Sequence, residues 1–150
     1  MKMFLKYVII TLSLSLLLTG CTTSKSYTFK VETGDKIKVE LKTNDKYDID
    51  SNIPFTISKD DEKITQGTFI KVSAYEEYET SINSSTAKII ENETKKELEY
   101  IFYSYDNDYG TTEYNYIIKI KDSNTGIVLS NTISEESAKE VFNRLTITKE

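Results

Sequence analysis

The feature that most constrains this chain is the unbroken alternation Lys36-Ile37-Lys38-Val39-Glu40-Leu41-Lys42. Successive side chains of a strand point to opposite faces, so this pattern requires an extended segment with one face buried and one wet. Tyr27-Thr28-Phe29-Lys30-Val31-Glu32 supplies its partner, and Thr33-Gly34-Asp35 supplies the turn chemistry of a hairpin, with Gly34 free to take positive φ. Ile53-Pro54-Phe55-Thr56-Ile57 and Ile64 to Val72 form a second pair around Lys59-Asp60-Asp61-Glu62. Pro54 has no N–H to donate to a ladder, which places it at a strand start or edge.

The period then changes. Tyr75, Tyr78 and Ile82 fall at i, i+3 and i+7, which predicts a helix over 74–82, with Ser73 and Glu76 as a capping box before it. A meander follows over Ala87 to Glu91, Leu98 to Tyr105, Tyr114 to Lys121 and Ile127 to Ser130. Its separators are Asn92-Glu93-Thr94-Lys95, Asp106-Asn107-Asp108-Tyr109-Gly110 and Asp122-Ser123-Asn124-Thr125-Gly126. Ala138, Val141, Phe142 and Leu145 recur at helical spacing after Ser134-Glu135-Glu136, predicting a second helix near 135–145. The expected fold is α+β: two helices and a largely antiparallel sheet of about six to seven strands, since short turns leave no room for parallel crossovers. The alternative is an all-β sandwich, which would require both helical stretches to be misread.

A chain of 150 residues with 38% apolar content lies in the range of one globular domain. The absence of His and a single Cys exclude most transition-metal, zinc and Cys/His catalytic chemistry. That one Cys closes a particular segment. Met1-Lys-Met-Phe-Leu-Lys6 gives a positive n-region, Tyr7 to Leu18 is mostly apolar and short for a membrane span, and Leu18-Thr19-Gly20-Cys21 ends it. This tetrad resembles the lipobox of bacterial lipoproteins. The resemblance implies a signal peptide at 1–20, cleavage after Gly20, and a diacylglycerol on the Cys21 thiol. It also implies a tether at 21–26, a domain at 27–150, and a location on the extracytoplasmic face of the cell membrane. With no second Cys, that domain is held by packing without disulfides.

Cleavage would remove Lys2 and Lys6 from a chain that already carries 24 acidic against 19 basic side chains. An acidic net charge disfavours nucleic acid and offers no overall attraction to anionic lipid, so the expected partners are the membrane, through the acyl anchor, and a protein or cell-wall polymer. The order of hairpins, Tyr-bearing helix, meander and final helix is similar to that of PsbP-like domains over about Tyr27 to Ile147. The matching positions are Gln66-Gly67-Thr68-Phe69 before the first helix and Ala138-x-x-Val141-Phe142 in the last. The resemblance implies interaction, not catalysis, and carries over no catalytic residue.

Three constellations could carry chemistry. Asp106-x-Asp108-x-Gly110 has the alternating carboxylates of a calcium loop, but Gly110 stands where a third side-chain ligand belongs and Ile117 where the closing bidentate acid belongs. A hairpin turn is the other reading of these residues and of the Asp45, Asp48, Asp50 and Asn52 cluster. Tyr103, Tyr105, Tyr109 and Tyr114 crowd one hairpin, either as an exposed binding face or as ordinary cross-strand packing. For hydrolysis, Ser85-x-x-Lys88 has the spacing that on a helix brings an amine one turn from a hydroxyl, and Glu97, Glu99 and Glu113 could meet in the hairpin. No companion motif accompanies either. The expectation is a binding or accessory module that is not an enzyme and needs no cofactor, with a small-ligand or ion carrier next and a hydrolase last.

Overall fold

The alternating Lys36–Lys42 segment forms a strand, β2, antiparallel to β1 (Ser24–Lys30), and Gly34 takes φ 90 in the turn between them. The structure is a computed structural model describing residues 23–150; the expected signal at 1–20 and the residues Leu18, Thr19, Gly20 and Cys21 lie outside the described residues. Because β1 begins at Ser24, residues 24–26 belong to the sheet and not to the expected tether. The pairing extends beyond the apolar residues: Ser24 lies opposite Lys42, and Thr43 N–H donates to Thr23 O at 2.9 Å.

The chain continues through β3 (Tyr47–Ile49), β4 (Phe55–Lys59), β5 (Glu62–Lys71), α1 (Val72–Ser84), β6 (Lys88–Lys95) and β7 (Leu98–Asp106). It ends with β8 (Thr112–Ile120), β9 (Thr125–Asn131), α2 (Glu135–Arg144) and β10 (Leu145–Lys149). One sheet has the order β1-β2-β10 and the other β3-β4-β5-β9-β8-β7-β6. All strand pairs are antiparallel. The fold is therefore sheet-rich with two helices, as expected, but the described residues form ten strands in two sheets, not one sheet of six or seven. The additional strands escape the pattern for physical reasons. β3 has three residues inside an Asp-rich stretch, too few for a period to register, and β10 follows α2 with no intervening turn. The first strand of the meander also ends later than expected: Asn92 to Lys95 continue β6, and the turn is Lys96-Glu97 with Lys96 at φ 57.

Both helices form, so the condition for an all-β chain is not met, yet two sheets do face each other across one core. The seven-stranded sheet is the middle layer. On one face, Tyr100, Phe102, Tyr116, Ile118, Ile127 and Leu129 pack with Ile37, Val39 and Leu41 of the three-stranded sheet and with Ala138, Val141 and Phe142 of α2. On the other, Ile101, Tyr103 and Ile117 receive Tyr75 and Ile82 of α1. Strand parity divides these sets, and both faces of the sheet are covered. α1 carries the chain from β5 to the far edge β6, and three antiparallel turns bring it back so that β9 pairs with β5. Tyr78 stays exposed on α1.

The capping box does not form. The helix starts at Val72, with Lys71 in the N-cap position making no side-chain cap bond, and Val72 N–H donates to Asn124 O at 2.8 Å. A carbonyl from the β8–β9 turn thus satisfies the Val72 N–H, one of the donors left unpaired at the helix start. At α2 the expectation holds: Ser134 Oγ accepts from Ser137 N–H at 3.0 Å, and Glu135 and Glu136 occupy the first turn.

Candidate functional site

β10 and β6 are edge strands of different sheets, and they do not pair with one another. The gap between β10 with the end of α2 on one side and the β6–β7 turn on the other is a cleft of about 500 Å³. Its position follows from local chemistry. The α2 helix ends where Leu145 turns extended and donates its N–H to Phe142 O, sending the chain straight into β10. Phe142, buried and stacked on Tyr116 at 4.2 Å, fixes the helix end against the sheet.

The cleft has an apolar floor and a cationic rim. Leu98 and Leu145 are half-buried, with Phe142 and Ile147 beneath, while Lys42, Lys95 and Lys96 stand exposed around the mouth with Glu97 as the one acid. Lys95 Nζ lies 5.9 Å from the centre of the Phe142 ring and donates to Asn143 Oδ1 at 3.3 Å. Clefts of this size accept a small molecule or a short polymer segment, and these walls favour an anionic group attached to an apolar body.

The tyrosines do not share a surface. Tyr103 is 7% exposed beneath α1, and burial pushes its phenol up to about 12, so its place is the core and not a binding face. Tyr105 lies on that same sheet face and donates to Glu113 at 2.8 Å. Tyr114 packs half-buried against the opposite core, while Tyr109, 93% exposed, projects from the turn. Tyr100 and Tyr116 are buried on the α2 side. Burial, reinforced by nearby Glu91, raises both phenols, Tyr100 to about 12.

The turn holding Asp106 and Asp108 is organised by Asn107, whose Oδ1 accepts from Tyr109 N–H at 3.1 Å and Thr111 N–H at 3.0 Å. Asp106 accepts from Thr112 Oγ1 at 2.6 Å. Asp45 pairs with Arg144 at 2.6 Å, Asp48 with Lys25 at 2.8 Å, and Asp50 accepts from Thr56 and Asn52 N–H, so these carboxylates point to different partners. Among the described residues no group of three or more His, Cys, Asp or Glu is placed to hold a metal ion. Ser85 is the C-cap of α1, donating to Ile82 O, whereas Lys88 opens β6, so the helical geometry that Ser-x-x-Lys needs is missing. Glu99 pairs with Lys119 at 3.6 Å and Glu113 is held by Tyr105 and Asn107.

Asp35, a turn residue by its place in the sequence, is 8% exposed and joins its hairpin to two distant segments. Its carboxylate accepts from Ser123 Oγ and Asn124 N–H at 2.8 Å and from Thr125 Oγ1 at 3.0 Å, and it pairs with Lys149 at 3.0 Å. The Ser123 hydroxyl and the Lys149 ammonium hold its pKa down to about 2. This group ties the first hairpin to the β8–β9 turn and to β10, and so fixes the strand that forms one wall of the cleft. No known family model matches the chain, and no curated protein or solved structure matches it either.

Proposed function

We propose that the chain is a membrane-anchored extracytoplasmic lipoprotein, acylated at Cys21, whose domain is a non-catalytic module that seats a segment of a protein or envelope polymer. The observation that carries the binding reading is the cleft beside β10, with Lys42, Lys95 and Lys96 around an apolar floor. An anionic segment gains from the three ammonium groups at the mouth, and its apolar part removes Leu98 and Leu145 from water. The order of elements, helix-bearing and sheet-rich, supports the α+β reading of the domain.

The test places a photo-crosslinking side chain at Asn143, in the cleft wall, or at Glu77, on the exposed side of α1, in the full-length protein in living cells. Adducts specific to Asn143, reduced several-fold by Lys95→Glu with Lys96→Glu, are expected. Identical adducts at both positions, or insensitivity to charge reversal, would contradict the reading. The cleft volume of about 500 Å³ also suits a free anionic small molecule. Under that second reading, native mass spectrometry of the full chain finds a stoichiometric ligand that the same charge reversals remove.

A further inference from the structure

Charge in this protein is sorted by layer. The residues of the three-stranded sheet that face away from the core include Lys30, Lys36, Lys38 and Lys42 and the acid Glu40, and Glu150, just past β10, lies opposite Lys36 and donates its N–H to Lys36 O at 2.9 Å. The rest of that face is Ser and Thr from β1 and β10. α1, on the far side of the seven-stranded sheet, carries Glu76, Glu77 and Glu79 and no base. A chain of net charge −5 therefore presents one basic side.

The register and the make-up of this face separate it from an ordinary solvated one. Lys30 and Lys36 lie directly opposite each other in the β1–β2 register, an arrangement that costs stability when nothing anionic lies between them. Among the described residues, Lys30, Lys36 and Lys42 form no ion pair, as is also true of lysines elsewhere such as Lys63 and Lys88, and Lys38 pairs with Glu40 at 3.8 Å. The outward-facing positions carry no aromatic or aliphatic anchor. A protein partner needs such anchors and avoids Lys at the centre of its interface, and single-stranded nucleic acid needs aromatic stacking platforms. A broad basic face of Lys, Ser and Thr instead suits a planar anionic surface.

We infer that the outer face of the β1-β2-β10 sheet docks flat on a bilayer containing anionic headgroups. The inference rests on the anchor reading for its geometry. Thr23 is fixed beside Thr43, so the preceding chain leaves from the Lys42 end of this same sheet. From Cys21 to Ser24 an extended chain spans only about 10 Å, close to the Debye length of about 8 Å at physiological salt. The tether thus holds Lys42 within the range at which an anionic surface attracts it, and Lys30 and Lys36, about 20 Å further along the strands, reach that range when the sheet lies flat, even though the net charge of the protein is repelled.

The test uses the full chain, expressed with its anchor and reconstituted into vesicles of phosphatidylcholine alone or mixed with phosphatidylglycerol. Co-flotation with the neutral vesicles reads the anchor. Acylation of each lysine by an impermeant amine reagent, read by peptide mass, reports docking. Labelling of Lys30 and Lys36 is expected to slow several-fold on the anionic vesicles relative to the neutral ones, while Lys63 and Lys88 are unchanged. The protection should vanish near 1 M salt, where the Debye length is roughly 3 Å. Equal labelling on both vesicle types, protection of Lys42 alone, or protection that survives high salt overturns the docking and leaves the anchor standing. Failure to float with neutral vesicles overturns the anchor; docking then stands only if the chain floats with the anionic vesicles and Lys30 and Lys36 are protected there, and otherwise falls with it.

Discussion

Gly67 lies opposite Phe55 in the β4–β5 ladder, and a Cβ added there would stand inside the van der Waals radius of three atoms at the tip of the Phe55 ring. The ring has little freedom to move aside, because it is fully buried with Phe29 at 5.5 Å and Phe69 at 5.6 Å between centroids. Overpacking of this kind costs about 1–3 kcal/mol, and the rigid surround puts Gly67→Ala at about 3 kcal/mol. A glycine-to-alanine change at a tolerant site would instead stabilise by roughly 0.4–1 kcal/mol through the unfolded chain. The sign therefore tests the packing. In a Phe55→Leu background the ring tip is gone, and the same substitution should cost under about 1 kcal/mol, giving a coupling energy of about 2 kcal/mol against the ~0.5 kcal/mol scatter of independent sites. Urea midpoints of the four proteins, compared at constant m, provide the assay. A Gly67→Ala protein as stable as wild type, or additivity of the two substitutions, would refute the reasoning.

Asp35 sets the acid limb of stability. Its folded pKa is near 2 against 3.8 for the ordinary group, so its stabilisation is complete above about pH 4 and is lost as pH falls toward 2; Asp35→Asn should be less stable at neutral pH and should lose less between pH 4 and 2 in urea titrations. Tyr103 acts at the other end: with its phenol raised from 10.0 to about 12 by burial, its protonated form stabilises fully below pH 10 and that contribution disappears as pH rises toward 12. Tyr103→Phe should flatten this alkaline decline without lowering the neutral midpoint, whereas Tyr103→Ala, by emptying the space under α1, should cost about 3–5 kcal/mol. A Tyr103→Ala protein with wild-type stability would return Tyr103 to the surface.

Local patterns were legible because one segment suffices to state them. The Lys36–Lys42 alternation, the Gly34 turn and the spacing of Val141 and Phe142 all predict elements that form. What could not be read depends on partners distant in sequence. The Asn124 carbonyl that receives Val72 N–H, and the contacts of Asp35 with Ser123, Thr125 and Lys149, exist only after β8 and β9 are docked. The cleft has the same origin: it is the gap between two sheet edges whose strands, β6 and β10, lie far apart in the chain. Other signals were present but outweighed. The Leu-Thr-Ile-Thr-Lys alternation of β10 is a strand pattern hidden by the helix that runs into it. The wet positions of β2 are Lys, Lys, Glu and Lys, so the basic face was visible in the alternation, while net charge summed it away against the acids of α1. Strand parity, legible in the sequence, puts Tyr103 and Tyr105 on one side of the sheet and Tyr114 and Tyr116 on the other; that α1 covers the Tyr103 side depends on contacts distant in the chain.

Intact mass combined with membrane fractionation of the wild-type and Cys21→Ala proteins, expressed in a bacterium, tests the central claim most directly. The account predicts a wild-type chain that starts at an acylated Cys21 and sediments with membranes, and a Cys21→Ala chain without the acyl mass that leaves the mature anchored fraction. A wild-type protein that keeps its first twenty residues, or is released into the medium without lipid, would contradict it.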